Sequence, residues 1–268
     1  MSGAGDRAAW TALIAELDQW QAAGRGATVW WRDDDAGRAH PAFARLLALA
    51  TRIPVPLALA VVPAWLEDPV AADLDAAPGR LAVLQHGAAH RNHEPTGAAE
   101  TRGKPAECGA GRPPAIVLAE LAEAGARLRR RLGPRCLPVL VPPWNRVDPG
   151  VTVGLPAHGY RGLSTFGARP TASPAGGLQQ VNCHVDPIVW RDRKRFAGIA
   201  ASLEGLRRHL ADRRAGRVDS EEPTGLLTHH RELSEAGWAW LETLLDRLRA
   251  HPAVAFPPAR TLFGLPAG

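Results

Sequence analysis

The sequence predicts an α/β protein: a mainly parallel sheet, open or closed into a barrel, with helices packed outside it. Three observations carry this. Short apolar, strand-like segments alternate along the chain with segments whose apolar residues recur at helical spacing. The 268 residues are 46% hydrophobic and 22% charged, which suits one domain with a sizeable core and excludes a disordered chain. No internal repeat, and no linker long enough to divide the chain, breaks the alternation.

Taken in order, residues 6–23 carry Trp10, Leu13, Ile14, Leu17 and Trp20 on one helical face and stop at Gly24. Residues 27–31 read as a buried strand, 41–51 as a helix, 55–62 as an apolar strand among prolines and 81–85 as a short strand. Residues 86–113, rich in Gly, Pro and His, show no periodicity; so long a connection can act as a lid. A helix over 115–132 and a strand over 137–141 follow, then weaker strands at 162–166 and 179–185. A helix at 199–214, a strand at 225–228, a helix at 234–250 and a strand at 253–256 complete the series.

Composition narrows the function. The net charge is +5, yet Lys104 and Lys194 are the only lysines, and the basic runs at 127–131 and 191–195 lack interleaved aromatics. Solvated helix faces explain them better than a base-stacking surface, so no nucleic-acid partner is expected. No run of about 18 apolar residues exists, so no membrane span is expected. The first residues lack the basic start and apolar stretch of a signal peptide, which points to a cytoplasmic setting. Cys108, Cys136 and Cys183 are widely spaced and expected to be reduced thiols.

The chemistry collects at strand ends. Asp33-Asp34-Asp35 follow the first expected strand, His86, His90 and His93 the third, Pro142-Pro143-Trp144-Asn145 the next clear one. His184 and Asp186 end a later strand and His229-His230 the penultimate one. Six of the ten histidines therefore lie at the carboxyl edge, where barrels and open α/β sheets hold their active sites. Adjacent aspartates can be a solvated turn, but their repulsion is relieved by a cation. If His86 and His90 share a helical turn they lie on one face, and two imidazoles with a carboxylate make a catalytic metal set with positions open for water. His229 is either a core histidine or a general acid at the mouth, and Trp144 and Trp190 are either core aromatics or platforms for a sugar ring. His184 and Asp186, two apart, point the same way on a strand.

The order of these motifs resembles the polysaccharide deacetylase family, metal-dependent esterases acting on N-acetylated sugars. Trp31-Arg32-Asp33-Asp34-Asp35 stands where that family has Thr-Phe-Asp-Asp-Gly, and His86-Gly87-Ala88-Ala89-His90 matches its His-x3-His. Val141-Pro142-Pro143-Trp144 matches an Arg-x-Pro motif in part, His184-Val185-Asp186 with Trp190 resembles an Asp and Trp motif, and Leu227-Thr228-His229 matches Leu-x-His. The resemblance spans roughly residues 27–230 and implies a deformed (β/α) barrel of seven or eight mainly parallel strands with one divalent metal, usually zinc, with cobalt, nickel or iron as alternatives. Carried over residue by residue, it makes Asp34, His86 and His90 the metal ligands and Asp33 the general base. His229 becomes the general acid tuned by Asp186. From their place at the strand ends, Trp144, Pro143, His184 and Trp190 are expected to face the substrate. The substrate implied is an acylated amino sugar or other carbohydrate.

Three departures stand out. Three consecutive aspartates leave the register open, so base and ligand can equally be Asp34 and Asp35. Val141 replaces the arginine that steadies the base, with Arg32 or Arg146 as substitutes, and Asp35 replaces a glycine. His93 and His230 are surplus histidines that can compete as ligands. Val141 and Asp35 also suit a glycan-binding accessory protein that has lost turnover, and a metallohydrolase of another amide or ester is a third reading.

Overall fold

The chain begins with α1 (Gly3–Ala22), which buries Leu13, Leu17 and Trp20, and enters the sheet at β1 (Ala27–Ala36). The computed structural model describes residues 3–95, 104–191 and 194–266. After β1 come α2 (Pro41–Arg52), β2 (Leu57–Val61), α3 (Asp68–Ala76), β3 (Leu81–His86) and α4 (Pro114–Leu132). Next are β4 (Cys136–Val141), α5 (Pro149–Gly154), β5 (Gly162–Leu163), β6 (Gln179–Gln180), β7 (Ile188–Val189) and β8 (Arg195–Phe196). The last elements are α6 (Ile199–Arg214), β9 (Thr224–Thr228), α7 (Glu235–Ala250), β10 (Val254–Ala255) and α8 (Ala259–Leu262).

Eight strands form one sheet, in the order β10-β1-β2-β3-β4-β5-β6 with β9 also paired to β1, and every pairing is parallel. Parallel bridges at Phe166–Cys183 and Val185–Leu226 carry the pairing from beyond β6 round to β9, so the sheet curls toward closure as a deformed (β/α) barrel. β7 and β8 make a separate antiparallel hairpin.

Strand alternation sorts the core into two layers. Trp30, Leu84, Val139, Val141 and Leu227 pack inside the curl. Trp31, Leu57, Leu59, Val83 and Leu226 face outward with Leu13, Phe43 and Leu241 of the helices. Each such buried aliphatic or aromatic side chain contributes about 1.5–3 kcal/mol, so the helices are held on mainly by this outer layer.

Most expected elements stand within a few residues of their place. β1 is the main exception: it runs to Ala36, so the aspartates lie inside the strand rather than after it. Their side chains are polar, but their partners are buried too, and polarity misplaced the strand's end. The short α3, α5, α8 and the β7–β8 hairpin were not expected. Residues 96–103 of the long connection lie outside the described residues, and with them part of the segment expected to act as a lid. All three cysteines are free and buried, and no helix among the described residues is long and apolar enough to cross a membrane.

Candidate functional site

The carboxyl ends of β1, β3 and β9 and the segments after β4 and β6 surround a cavity of about 720 Å³. Asp34, Asp35, His86, His90, Trp144, Asp186, Trp190 and His229 all line it. A hollow of about 490 Å³ lies at the amino ends of β3 and β4, walled by Leu81, Arg80 and Arg135, and holds no histidine. Arg135 there is already committed to the carbonyls of Ala77, Pro78 and Leu81.

Alternation along β1 decides which aspartate does what. Asp33 shares the outward face with Trp31 and is fully buried away from the cavity. Its Oδ2 accepts from Thr228 Oγ1 at 2.6 Å and its Oδ1 lies 2.6 Å from His230 Nδ1, while Trp31 Nε1 donates to the same Thr228 hydroxyl at 2.8 Å. Asp34 falls on the inward face with Arg32, which grips it with two parallel bonds, Nε to Oδ1 at 2.8 Å and Nη2 to Oδ2 at 2.9 Å. Arg32 is held in turn by Ser164 Oγ at 2.6 Å and Asn145 Oδ1 at 2.7 Å.

Asp35 should then point outward again, but the β1–β2 register shifts between Asp33 and Ala36, and Asp35 takes left-handed backbone with φ 67°. This bulge re-aims its side chain, so two consecutive carboxylates enter one cavity. Asp35 Oδ1 lies 3.1 Å from His86 Nε2 and 3.2 Å from His90 Nε2.

The two carboxylates that enter the cavity are thus Asp34 and Asp35, the second of the two registers that the sequence leaves open. The carboxylate beside both histidines is that of Asp35, not Asp34. Asp34, not Asp33, is the cavity carboxylate with an arginine on it. Of the two arginines named as substitutes for the one missing at Val141, Arg32 is the one on that carboxylate, and Arg146 instead donates to Pro105 O. Pro143 is buried against Gly87 rather than facing the cavity. His230 faces away from the cavity, toward Asp33 and the ring of Phe43.

His86 and His90 do not share a helical turn. His86 closes β3, and His90 sits in the following loop with φ 53°. Glu107, 3% exposed, shapes that loop by accepting N–H bonds from Ala88, Ala89 and His90. Gly87, at φ 59°, is required there: a Cβ would stand 1.9 Å from Glu107 Oε2. Sequence reading missed Glu107, whose only signal is an acid inside an otherwise uninformative loop.

The donor set fits a divalent cation. His86 Nδ1 lies 2.9 Å from Val141 O, so Nδ1 carries a proton and Nε2 is the nitrogen that faces Asp35. With a carbonyl on one nitrogen and a carboxylate on the other, His86 either takes a second proton or lends Nε2 to a cation. Burial lowers the His86 pKa, but the Asp34 charge and the Asp35 hydrogen bond and charge outweigh it and raise the pKa overall. Burial works to raise the Asp35 carboxyl, yet hydrogen bonds from His86 and His90 hold it far below the ordinary carboxylate range. Asp35, His86 and His90 each offer one ligand atom, all within 4.8 Å of one another. Two imidazoles and one carboxylate are a set that zinc, cobalt, nickel and iron all accept.

On the far wall, His229 Nδ1 stands 3.8 Å from Asp186 Oδ2. Burial raises the Asp186 carboxyl despite the opposing charge of His229. Trp144 and Trp190 line the cavity with Asn145 and Arg146, joined by Phe166 and Lys194, which the motif pattern did not mark. The five non-glycine residues with left-handed backbone among the described residues are Asp35, His90, Trp144, Asn145 and Lys194; every one lines this cavity.

His184 was expected to face substrate but lies elsewhere. It stacks on His209 with ring centroids 3.5 Å apart and approaches Glu222 Oε2 at 3.3 Å. Although His184, His209 and Glu222 cluster within ligand range, His184 Nδ1 accepts the Gly225 N–H at 3.0 Å. Its Nε2 therefore carries the ring proton and has no lone pair to give an ion. Burial holds both rings below the usual histidine range, His209 at about 2.

No sequence-family profile matches the chain, and no curated protein matches it in sequence. Solved structures do match its fold. A Mycobacterium smegmatis protein assigned as a polysaccharide deacetylase is 17% identical, with 90% of each chain covered and a TM-score of 0.60. A family 4 acetyl xylan esterase from Clostridium thermocellum, solved with a cobalt ion, is 15% identical over 89% of this chain and 93% of its own, TM-score 0.52. A mutant of a pseudoenzyme of that family, with activity restored, is 12% identical over 89% of this chain and 68% of its own, TM-score 0.52. The fold is thus that of the family 4 polysaccharide deacetylases and acetyl xylan esterases.

Proposed function

We propose that the protein is a divergent polysaccharide-deacetylase-type hydrolase that uses one divalent metal, zinc first among the candidates, to remove an acetyl group from an N-acetylated sugar or glycan precursor. The observation that carries this is the convergence of Asp35, His86 and His90 beside the Arg32-gripped Asp34, with His229 across the same cavity. The cobalt-bearing acetyl xylan esterase among the neighbours supports the metal and the carbohydrate ester or amide class.

Asp35, His86 and His90 would hold the ion, which when bound polarises the acyl carbonyl and acidifies its water. Asp34 is the general base: Arg32 fixes both its oxygens in place, leaving their outer lone pairs to take the water's proton. His229 is the general acid. Its Nδ1 faces Asp186, which leaves Nε2 to protonate the departing amine. Trp144, Trp190 and Phe166 form apolar walls for a sugar ring.

A non-catalytic glycan-binding protein is the second reading, and the pseudoenzyme neighbour keeps it in view. The two departures that favoured it lose their force, because Arg32 stands in for the missing arginine and Asp35 turns toward the histidines.

Metal content by mass spectrometry, wild type beside His86→Ala/His90→Ala, tests the site: about one divalent ion per chain, lost in the double variant, is expected. Acetate release from acetylated chito-oligosaccharides and a wider acyl panel then tests the reaction. No ion after repletion with zinc, cobalt, nickel or iron would refute the hydrolase reading; glycan binding without acetate release from any substrate would support the accessory one.

A further inference from the structure

Asp186 faces two neighbours with one oxygen. Its Oδ1 accepts the Ile188 N–H at 2.9 Å, and its Oδ2 accepts Trp190 Nε1–H at 2.6 Å. The same Oδ2 stands 3.8 Å from His229 Nδ1, too far for a hydrogen bond. His229 Nδ1 is buried and has no other partner, an unfavourable state for a polar atom. The Trp190 ring stands edge-on to His229, with centroids 4.5 Å apart at 79°, and is 42% exposed on the cavity.

We infer that Trp190 is a positioning residue that competes with His229 for Asp186 Oδ2, so that the His229–Asp186 hydrogen bond forms when a sugar ring on the indole draws its N–H away. The inference rests on the reading of His229 as the acid and deepens it. A ring-bearing substrate completes the His229–Asp186 pair, whereas an acyclic acetamide that cannot cover Trp190 leaves Asp186 bonded to the indole. Trp190 thus selects for sugars through the chemical step as well as through contact.

The test uses zinc-repleted, 15N-labelled protein with Trp190→Phe, which keeps an aromatic ring and removes the N–H. In the wild type a low-field His229 Nδ1–H resonance is expected only after a chito-oligosaccharide is added, with the Trp190 indole resonance moving at the same time. In Trp190→Phe it is expected without ligand. The kcat/KM preference for an acetylated sugar over an acyclic acetamide should fall about ten-fold in Trp190→Phe, with part of the change in kcat. Trp190→Ala, at an exposed position, checks that the effect does not come from the phenyl ring. A His229 resonance indifferent to both ligand and substitution, or an unchanged preference, would overturn the inference alone. If the resonance switches while no acetylated compound is turned over, the hydrolase reading fails and the exchange of Asp186 between its neighbours stands.

Discussion

Replacing Asp33 separates its structural part from the chemistry next door. The Asp33 carboxylate accepts two bonds of 2.6 Å from β9 and the residue pair after it, with Asp33, Thr228 and His230 all at most 1% exposed. Asp33→Ala strands a hydroxyl and an imidazole in a dry layer. Stranding two buried partners of a carboxylate in this way costs about 3–5 kcal/mol. For a chain of 268 residues, about 2 °C of melting temperature corresponds to each kcal/mol, so a drop of about 6–10 °C is expected. Urea titration should show a lower midpoint with an unchanged slope. Asp33→Asn, which keeps one acceptor, should lose about half as much, and its turnover per folded molecule should stay within about five-fold. Asp34→Asn, by contrast, should lose about 10²–10⁴-fold in turnover. An Asp33→Asn protein with wild-type stability and a turnover loss beyond about 100-fold would refute the reasoning and return the base to Asp33.

Further outcomes follow from other contacts. Gly87→Ala puts a Cβ against Glu107 in a left-handed position, so a stability loss of about 1–2 kcal/mol or more is expected in thermal melts, together with weaker metal binding. Glu107→Gln removes one of the oxygens that gather three backbone N–H groups around His90, and chelator competition should show metal affinity down about 10–100-fold with the protein still folded. Burial holds His209 at about 2, below the ordinary 6.5, so between those values the unfolded chain binds a proton that the folded one refuses. Stability is therefore complete above about pH 6.5 and falls by up to about 1.4 kcal/mol per pH unit below it. Urea midpoints at pH 7, 6 and 5 should fall less steeply for His209→Gln, and parallel slopes would exclude the assignment.

The succession of strands and helices and the edge that carries the chemistry were legible in the sequence because they depend on apolar period and on where histidines interrupt it. Eight of the residues singled out in the sequence, Asp34, Asp35, His86, His90, Trp144, Asp186, Trp190 and His229, come together in the cavity. What could not be read was local geometry. Three identical residues at 33–35 carry no mark of which faces inward, and the choice was made by a bulge against β2 that no residue type announces. His184 looked like a partner of Asp186 by spacing alone. The Gly225 N–H and the face of His209 hold it in another layer, and both are tertiary contacts. Glu107 acts at a distance of some twenty residues from the backbone it organises, beyond the reach of any motif.

The left-handed backbone around the cavity has a consequence for how the protein opens. Each such residue without glycine's freedom is less stable than an ordinary one by about 1 kcal/mol, and five of them amount to a sizeable share of a net stability of about 5–15 kcal/mol. That energy is concentrated at one rim and offset by the layered core on the other side of the sheet. The rim is therefore where the native state is nearest to local melting, and amide hydrogens there should exchange by sub-global opening well before those of β2 and β3. Variants selected only for heat resistance will tend to relax these five positions first, and will lose the geometry that gathers carboxylates and imidazoles into one cavity.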